Sequence, residues 1–148
     1  MSLAPRLLLV LSLLAGLPTA PAVAQTAASA DTLYQSLGAA PGVTLLVDDF
    51  VQRLTADPRL APFFRNTDLT HLRRQLADQF CEVSGGPCRL KGPDMKTAHA
   101  QMDVTKRDFF ALVEVLQQSM SAQGIPFTTQ NQLLARLAPM HRDIINTP

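Results

Sequence analysis

The sequence is poor in the residues that mark several specialised classes. It has only two cysteines, Cys81 and Cys88. Two sulfurs at that spacing do not make a usual zinc knuckle. It has three histidines, His71, His99 and His141, so imidazole chemistry has three places to be. No basic stretch exceeds two residues and the formal net charge is +1, so nothing marks a nucleic-acid surface. The longest apolar run, Leu7 to Leu17, falls short of the ~20 residues a membrane helix needs. Alternating β-branched runs, hairpin dipeptides and internal repeats are missing too, which leaves an all-α fold. Against these absences, hydrophobic residues make up 47% and charged residues 17% of 148, enough apolar material for one globular domain. The charges alternate in sign, as on solvated helix faces.

The beginning of the chain reads as a leader. Arg6 precedes the apolar run, Gly16 and Pro18 break it, and Ala22-Val23-Ala24 is a small-x-small cleavage site. That order is a secretory signal peptide over residues 1–24, with cleavage after Ala24 and a periplasmic or secreted product. A membrane anchor is the alternative, and the short run argues against it. No cysteine adjoins the site to carry a lipid. Losing Arg6 lowers the 13 basic residues to 12, which balance the 12 acidic ones. In an oxidising compartment Cys81 and Cys88 are expected to form a disulfide, with two buried thiols as the alternative. Residues 25–30 form a small, polar leader, and residues 31–148 form the folded domain.

The domain reads as a series of helices. Asp31 is the expected cap of a short helix with Leu33, Tyr34 and Leu37, ended by Gly38 and turned by Pro41-Gly42. Leu46, Val47, Phe50, Val51 and Leu54 recur at helical spacing, with Asp48, Asp49, Gln52 and Arg53 between them. Pro58 and Pro62 break the chain before Phe63-Phe64. A third helix, from Asp68 or Thr70, carries Leu69, Leu72, Leu76, Phe80 and Val83 on one stripe and stops at Gly85-Gly86-Pro87. Residues 93–100 suit a short helix with Met95 and His99. Thr105-Lys106-Arg107-Asp108 matches a capping box opening a long helix to about Gln123, with Phe109, Leu112, Val113, Leu116 and Met120 inward. A last helix from Thr129 carries Leu133, Leu134 and Leu137, with Pro139 interrupting it.

A histidine alone on an apolar face is more often a core residue than a ligand. His99, however, sits within Met95-Lys96-Thr97-Ala98-His99, after the Gly-Gly-Pro break and before the capped helix. With Leu33-Tyr34-Gln35-Ser36-Leu37-Gly38, Val47-Asp48-Asp49-Phe50, Leu54-Thr55-Ala56-Asp57-Pro58-Arg59, Phe63-Phe64, Gly85-Gly86-Pro87, Phe109 with Leu112-Val113, and Leu133 to Pro139, this segment resembles the group I truncated haemoglobins. The resemblance runs from Thr32 to about Ile145. Each piece is weak alone, and their order and spacing carry the likeness.

The resemblance implies a shortened globin, a two-over-two helical sandwich around haem b. His99 occupies the position of the proximal iron ligand, a common role for a neutral imidazole. Phe64 matches the aromatic on the haem face, Leu90 and Met95 match proximal contacts, and Phe109 and Leu112 lie behind the haem. Arg73 matches a basic position that can reach a propionate, with a solvated charge as its alternative. The chain also departs from the family. Gly38-Ala39-Ala40 stands where a glycine pair is frequent. The distal tyrosine position is Val51, after Phe50, and the distal glutamine position is Leu76, with Leu72 as the other distal residue. Gln75 is one residue off and is expected to point away.

Four functions compete. The first is reversible binding of a diatomic gas (O₂, NO or CO) at ferrous haem. The second is haem-dependent NO oxidation, which needs a reductase that no motif here supplies. The third is a metal site of Cys81, Cys88 and His99, and the fourth a plain helical interaction module. A gas sensor is a variant of the first. The oligomeric state is not encoded in any motif.

Overall fold

The computed structural model describes residues 32–147, so the leader and Asp31 lie outside the described residues. Within them all regular structure is helical: α1 Leu33–Ser36, α2 Ala39–Ala56, α3 Leu69–Val83, α4 Met95–His99, α5 Lys106–Ala122, α6 Phe127–Leu137 and α7 His141–Ile144. Single 3-10 turns cover Ala61–Phe64 and Ala138–Met140. The four long helices close a ring of contacts. α2 packs on α3 and α5, and α6 packs on the same two. This is the two-over-two sandwich.

Local sequence explains the boundaries. The Thr32 hydroxyl accepts from the Gln35 amide at 3.3 Å, so Thr32 caps α1 in place of the expected Asp31. Pro41-Gly42 does not turn the chain; both residues lie in the first turn of α2. A proline there loses no hydrogen bond, because first-turn amides have no helical partner. Gly42 is needed because a β-carbon would collide with the Leu37 carbonyl. Ala39, in place of the frequent second glycine, takes a positive φ of 53°, a left-handed conformation that an alanine adopts at a cost. α3 starts on Asp68, whose carboxylate accepts from the Thr70 and His71 amides. The backbone hydrogen bonds made by that carboxylate hold its pKa below the ordinary 3.8. α5 opens on the expected capping box of Thr105 and Asp108. α6 starts at Phe127, two residues before Thr129, because Pro126 is already extended and ends the preceding turn.

The core lies between these helices. Val43, Leu46, Val47, Phe50, Val51 and Leu54 of α2 are all buried. From the other side α5 contributes Ala111, Val115, Leu116 and Met120, and α6 contributes Leu133. α5 is therefore two-faced: one stripe enters this core, while Phe109, Leu112 and Val113 face a cavity.

Cys81 and Cys88 are joined by a disulfide, with α-carbons 5.7 Å apart. The bond ties the last turns of α3 to the loop that leads to α4. Gly86 permits the close return, since a β-carbon there would strike Cys81 Sγ and the Tyr34 ring. The Leu90 amide donates to Glu82 Oε2 at 2.9 Å, so the loop is pinned again past the disulfide.

Candidate functional site

A cavity of about 470 Å³ opens between α3, α4, α5 and the chain after α6. That volume is in the range of pockets that enclose a cofactor. Its wall is mainly apolar. Phe50, Phe64, Leu72 and Leu76 lie on it, as do Leu90, Met95, His99, Phe109 and Leu112. These nine expected site residues are thus gathered in one place from five separate stretches of chain.

Two others are not on the wall. Val51 is completely buried in the core and does not line the cavity; Phe50 does, packed at 6.1 Å between ring centroids against Phe80. The turn of α2 that lets Phe50 bridge core and cavity points Val51 into the core, and its short side chain cannot reach back. Arg73 is also absent from the wall. Its guanidinium pairs with Asp48 of α2 at 3.2 Å and donates to the Leu69 carbonyl at 3.3 Å, so it is occupied away from the cavity. Gln75, expected to point away, lines the cavity instead. The lining face of α3 is broad enough to hold residues 71, 72, 75, 76 and 79 together.

Sequence reasoning missed Met140 and reached Gln79 only as a fallback donor should the register of the distal helix be off. Gln79 is buried at 9% exposure, and its amide donates to Met140 Sδ at 3.1 Å and Met95 Sδ at 3.8 Å. A thioether is a weak acceptor, so this amide is lightly held. Its spacing of four from Gln75 was the available signal.

His99 is the last residue of α4. The helix is capped by Asp94, whose carboxylate accepts from the Thr97 amide at 2.7 Å. That hydrogen bond, first among its causes, lowers the Asp94 pKa below 3.8. His99 Nδ1 lies 2.8 Å from the Met95 carbonyl oxygen. A carbonyl only accepts, so Nδ1 carries the proton and donates. The ring is then the tautomer whose Nε2 keeps a lone pair, the form a metal binds, oriented by a backbone acceptor. Among the described residues, the other basic side chain on the wall is His71. Among the described residues no group of three or more His, Cys, Asp or Glu side chains could hold a metal ion by themselves, and the disulfide removes both thiols from any thiolate site.

An all-α two-over-two sandwich with an apolar cavity and one oriented imidazole on its wall defines a truncated globin. The chain belongs to the bacterial-like globin family, whose model matches residues 32–146. It is 29% identical over 114 residues to the group 1 truncated hemoglobin of Tetrahymena pyriformis, covering 77% of this chain and 94% of that one. It is 30% identical over 125 residues to the group 1 truncated hemoglobin GlbN of Synechocystis, covering 78% and 98%. The solved Fe(III) form of the Tetrahymena pyriformis protein superposes with a TM-score of 0.75 at 28% identity, covering 78% of this chain and 99% of that one. The 2/2 hemoglobin of a Synechococcus, solved with covalently attached heme, gives 0.73 at 26%, covering 78% and 98%. Family membership implies haem as cofactor and a diatomic gas as its ligand.

Proposed function

We propose that this protein binds haem b with His99 Nε2 as the proximal iron ligand, and that it holds a small diatomic gas reversibly. The observation that carries the reading is the His99 tautomer: Nδ1–H is committed to Met95, and the residue stands on the wall of an apolar cavity. The apolar wall supplies the burial that a porphyrin requires, and Phe64, Phe109 and Leu112 are the residues to pack against it. His71 replaces Arg73 as the basic side chain for a carboxylate edge. The haem would supply the bond to the gas; the chain supplies an imidazole held in one orientation, exclusion of water, and the polarity of the opposite wall. On that wall Leu72 and Leu76 stand at the positions nearest the family's distal donors, and the His71, Gln75 and Gln79 side chains line it beside them. Leucines at those two positions favour a carrier or sensor with fast O₂ release, or one for NO or CO, over NO oxidation driven by a reductase.

We further propose that residues 1–24 are a leader removed on export, and that the domain works outside the cytoplasm. The disulfide supports this, since such bonds persist in oxidising compartments.

The test is haem uptake. The purified protein should show a strong visible haem band, and His99→Ala should abolish stable uptake or leave a weak site rescued by added imidazole. An unchanged spectrum in His99→Ala refutes the assignment.

A further inference from the structure

We infer that Asn146 is a positioning residue for the His99 imidazole, acting through the main chain at the end of α4. The inference rests on His99 being the proximal ligand.

α4 has five residues, too few to hold a helix by its own hydrogen bonds. Loops flank it on both sides, and apart from Met95 and His99 its side chains are exposed. Its main packing partner is α7, more than forty residues away in sequence. After α7 the chain becomes extended at Ile145 and runs back beneath α4. There the Asn146 and Thr147 amides both donate to the Val104 carbonyl, at 3.1 and 3.2 Å. The Asn146 side chain reaches further: its Nδ2 donates to the His99 carbonyl at 2.7 Å.

That carbonyl also accepts from the Met102 amide at 3.1 Å. A carbonyl oxygen has two lone pairs, and both are now engaged. The imidazole is tied to the Met95 carbonyl four residues back, so its direction follows the orientation of α4. The orientation of α4 in turn depends on what holds its last residue. Asn146 holds that residue from outside the local chain, with a donor tied to the extended segment that follows α7. Without the amide, the His99 carbonyl keeps only the local Met102 amide as partner, the last turn of α4 is held less firmly, and the imidazole samples a wider range of directions.

The experiment uses haem-reconstituted wild type, Asn146→Ala, Asn146→Asp and His99→Ala. Asn146→Asp keeps the size and removes the donor. Resonance Raman of the ferrous, unliganded protein reads the iron–histidine stretching band, and transfer of haem to excess apomyoglobin reads haem loss. His99→Ala without added imidazole identifies the band by its loss. Both Asn146 variants should shift or broaden the band and speed haem loss roughly two- to tenfold, the effect of one hydrogen bond. Far-UV circular dichroism of the apoproteins should be unchanged. A wild-type band in both variants overturns the positioning role, even if haem loss rises, because loss alone would follow from general loosening. If the band survives His99→Ala, the ligand assignment itself fails and the role of Asn146 fails with it. A band lost in His99→Ala but unmoved in the Asn146 variants refutes the positioning role alone.

Discussion

Leu76→Gln would place an amide on a cavity wall where α3 now presents a leucine. Leu76 is only partly buried, so a glutamine can enter without displacing the core. Val51→Tyr is the poorer choice, because Val51 is wholly enclosed between helices and a ring there must first displace its neighbours. Oxygen gathers negative charge when it binds ferrous haem, whereas CO gathers little, so a donor retains O₂ selectively. A hydrogen bond to a charged acceptor contributes ~1.5–3 kcal/mol. With about 1.4 kcal/mol per factor of ten, O₂ release should slow by roughly ten- to a hundredfold. CO release should change little. The substitution costs about 1 kcal/mol of fold stability, within what a domain tolerates. Stopped-flow displacement of O₂ and CO from wild type and variant reads both effects. If wild type already releases O₂ slowly and Leu76→Gln leaves it unchanged, the argument is wrong, and a native donor is at work. Gln79, held only by two thioethers, and Gln75 are then the groups to remove, and Gln79→Leu should speed O₂ release.

Replacing Cys81 and Cys88 together by serine should cost about 2.5 kcal/mol, the chain-entropy value for a closure of this size at a sequence separation of 7, and lower the apoprotein Tm on the order of 10 °C. A Tm within a degree or two of wild type would show that the Leu90–Glu82 contact already holds the loop. The mass of the exported protein under non-reducing alkylation tests the compartment: it should begin at Gln25 and take up no alkyl groups, and two alkylated thiols or a retained leader would reject export with oxidation. Asp94→Ala should weaken α4 and haem retention at neutral pH. The native carboxylate has a depressed pKa, so its contribution is complete above the ordinary 3.8 and is lost as pH falls through the lower folded value. The difference between wild type and variant should therefore vanish in acid, and a difference that persists there would mean the cap acts through something other than its charge.

Much of this protein was legible in the order of residues. Hydrophobic spacing of 3 and 4 marks α2, α3 and α5, because a helix must bury one stripe whatever surrounds it. The Thr105–Asp108 box and the Gly85-Gly86-Pro87 stop are local chemistry, settled by neighbours in the chain. His99 was singled out by its surrounding segment, and the structure places it on the cavity wall. Pro41-Gly42 misled because proline and glycine suit a turn and a first helical turn equally, and only the close approach to Leu37 selects the second. Arg73 was ambiguous for the same kind of reason: a long side chain goes where an opposite charge lies, and Asp48 is brought there by packing of α2 on α3. Which of Phe50 and Val51 faces the cavity, and whether Gln75 does, depends on the rotation of two helices by less than a residue's arc. The bond from Asn146 to His99 joins residues 47 apart in sequence. The helices and the segment that carries His99 belong to the sequence itself, because their causes are local; the make-up of the cavity wall and the bond from Asn146 to His99 are decided by tertiary packing, because their partners are distant in the chain.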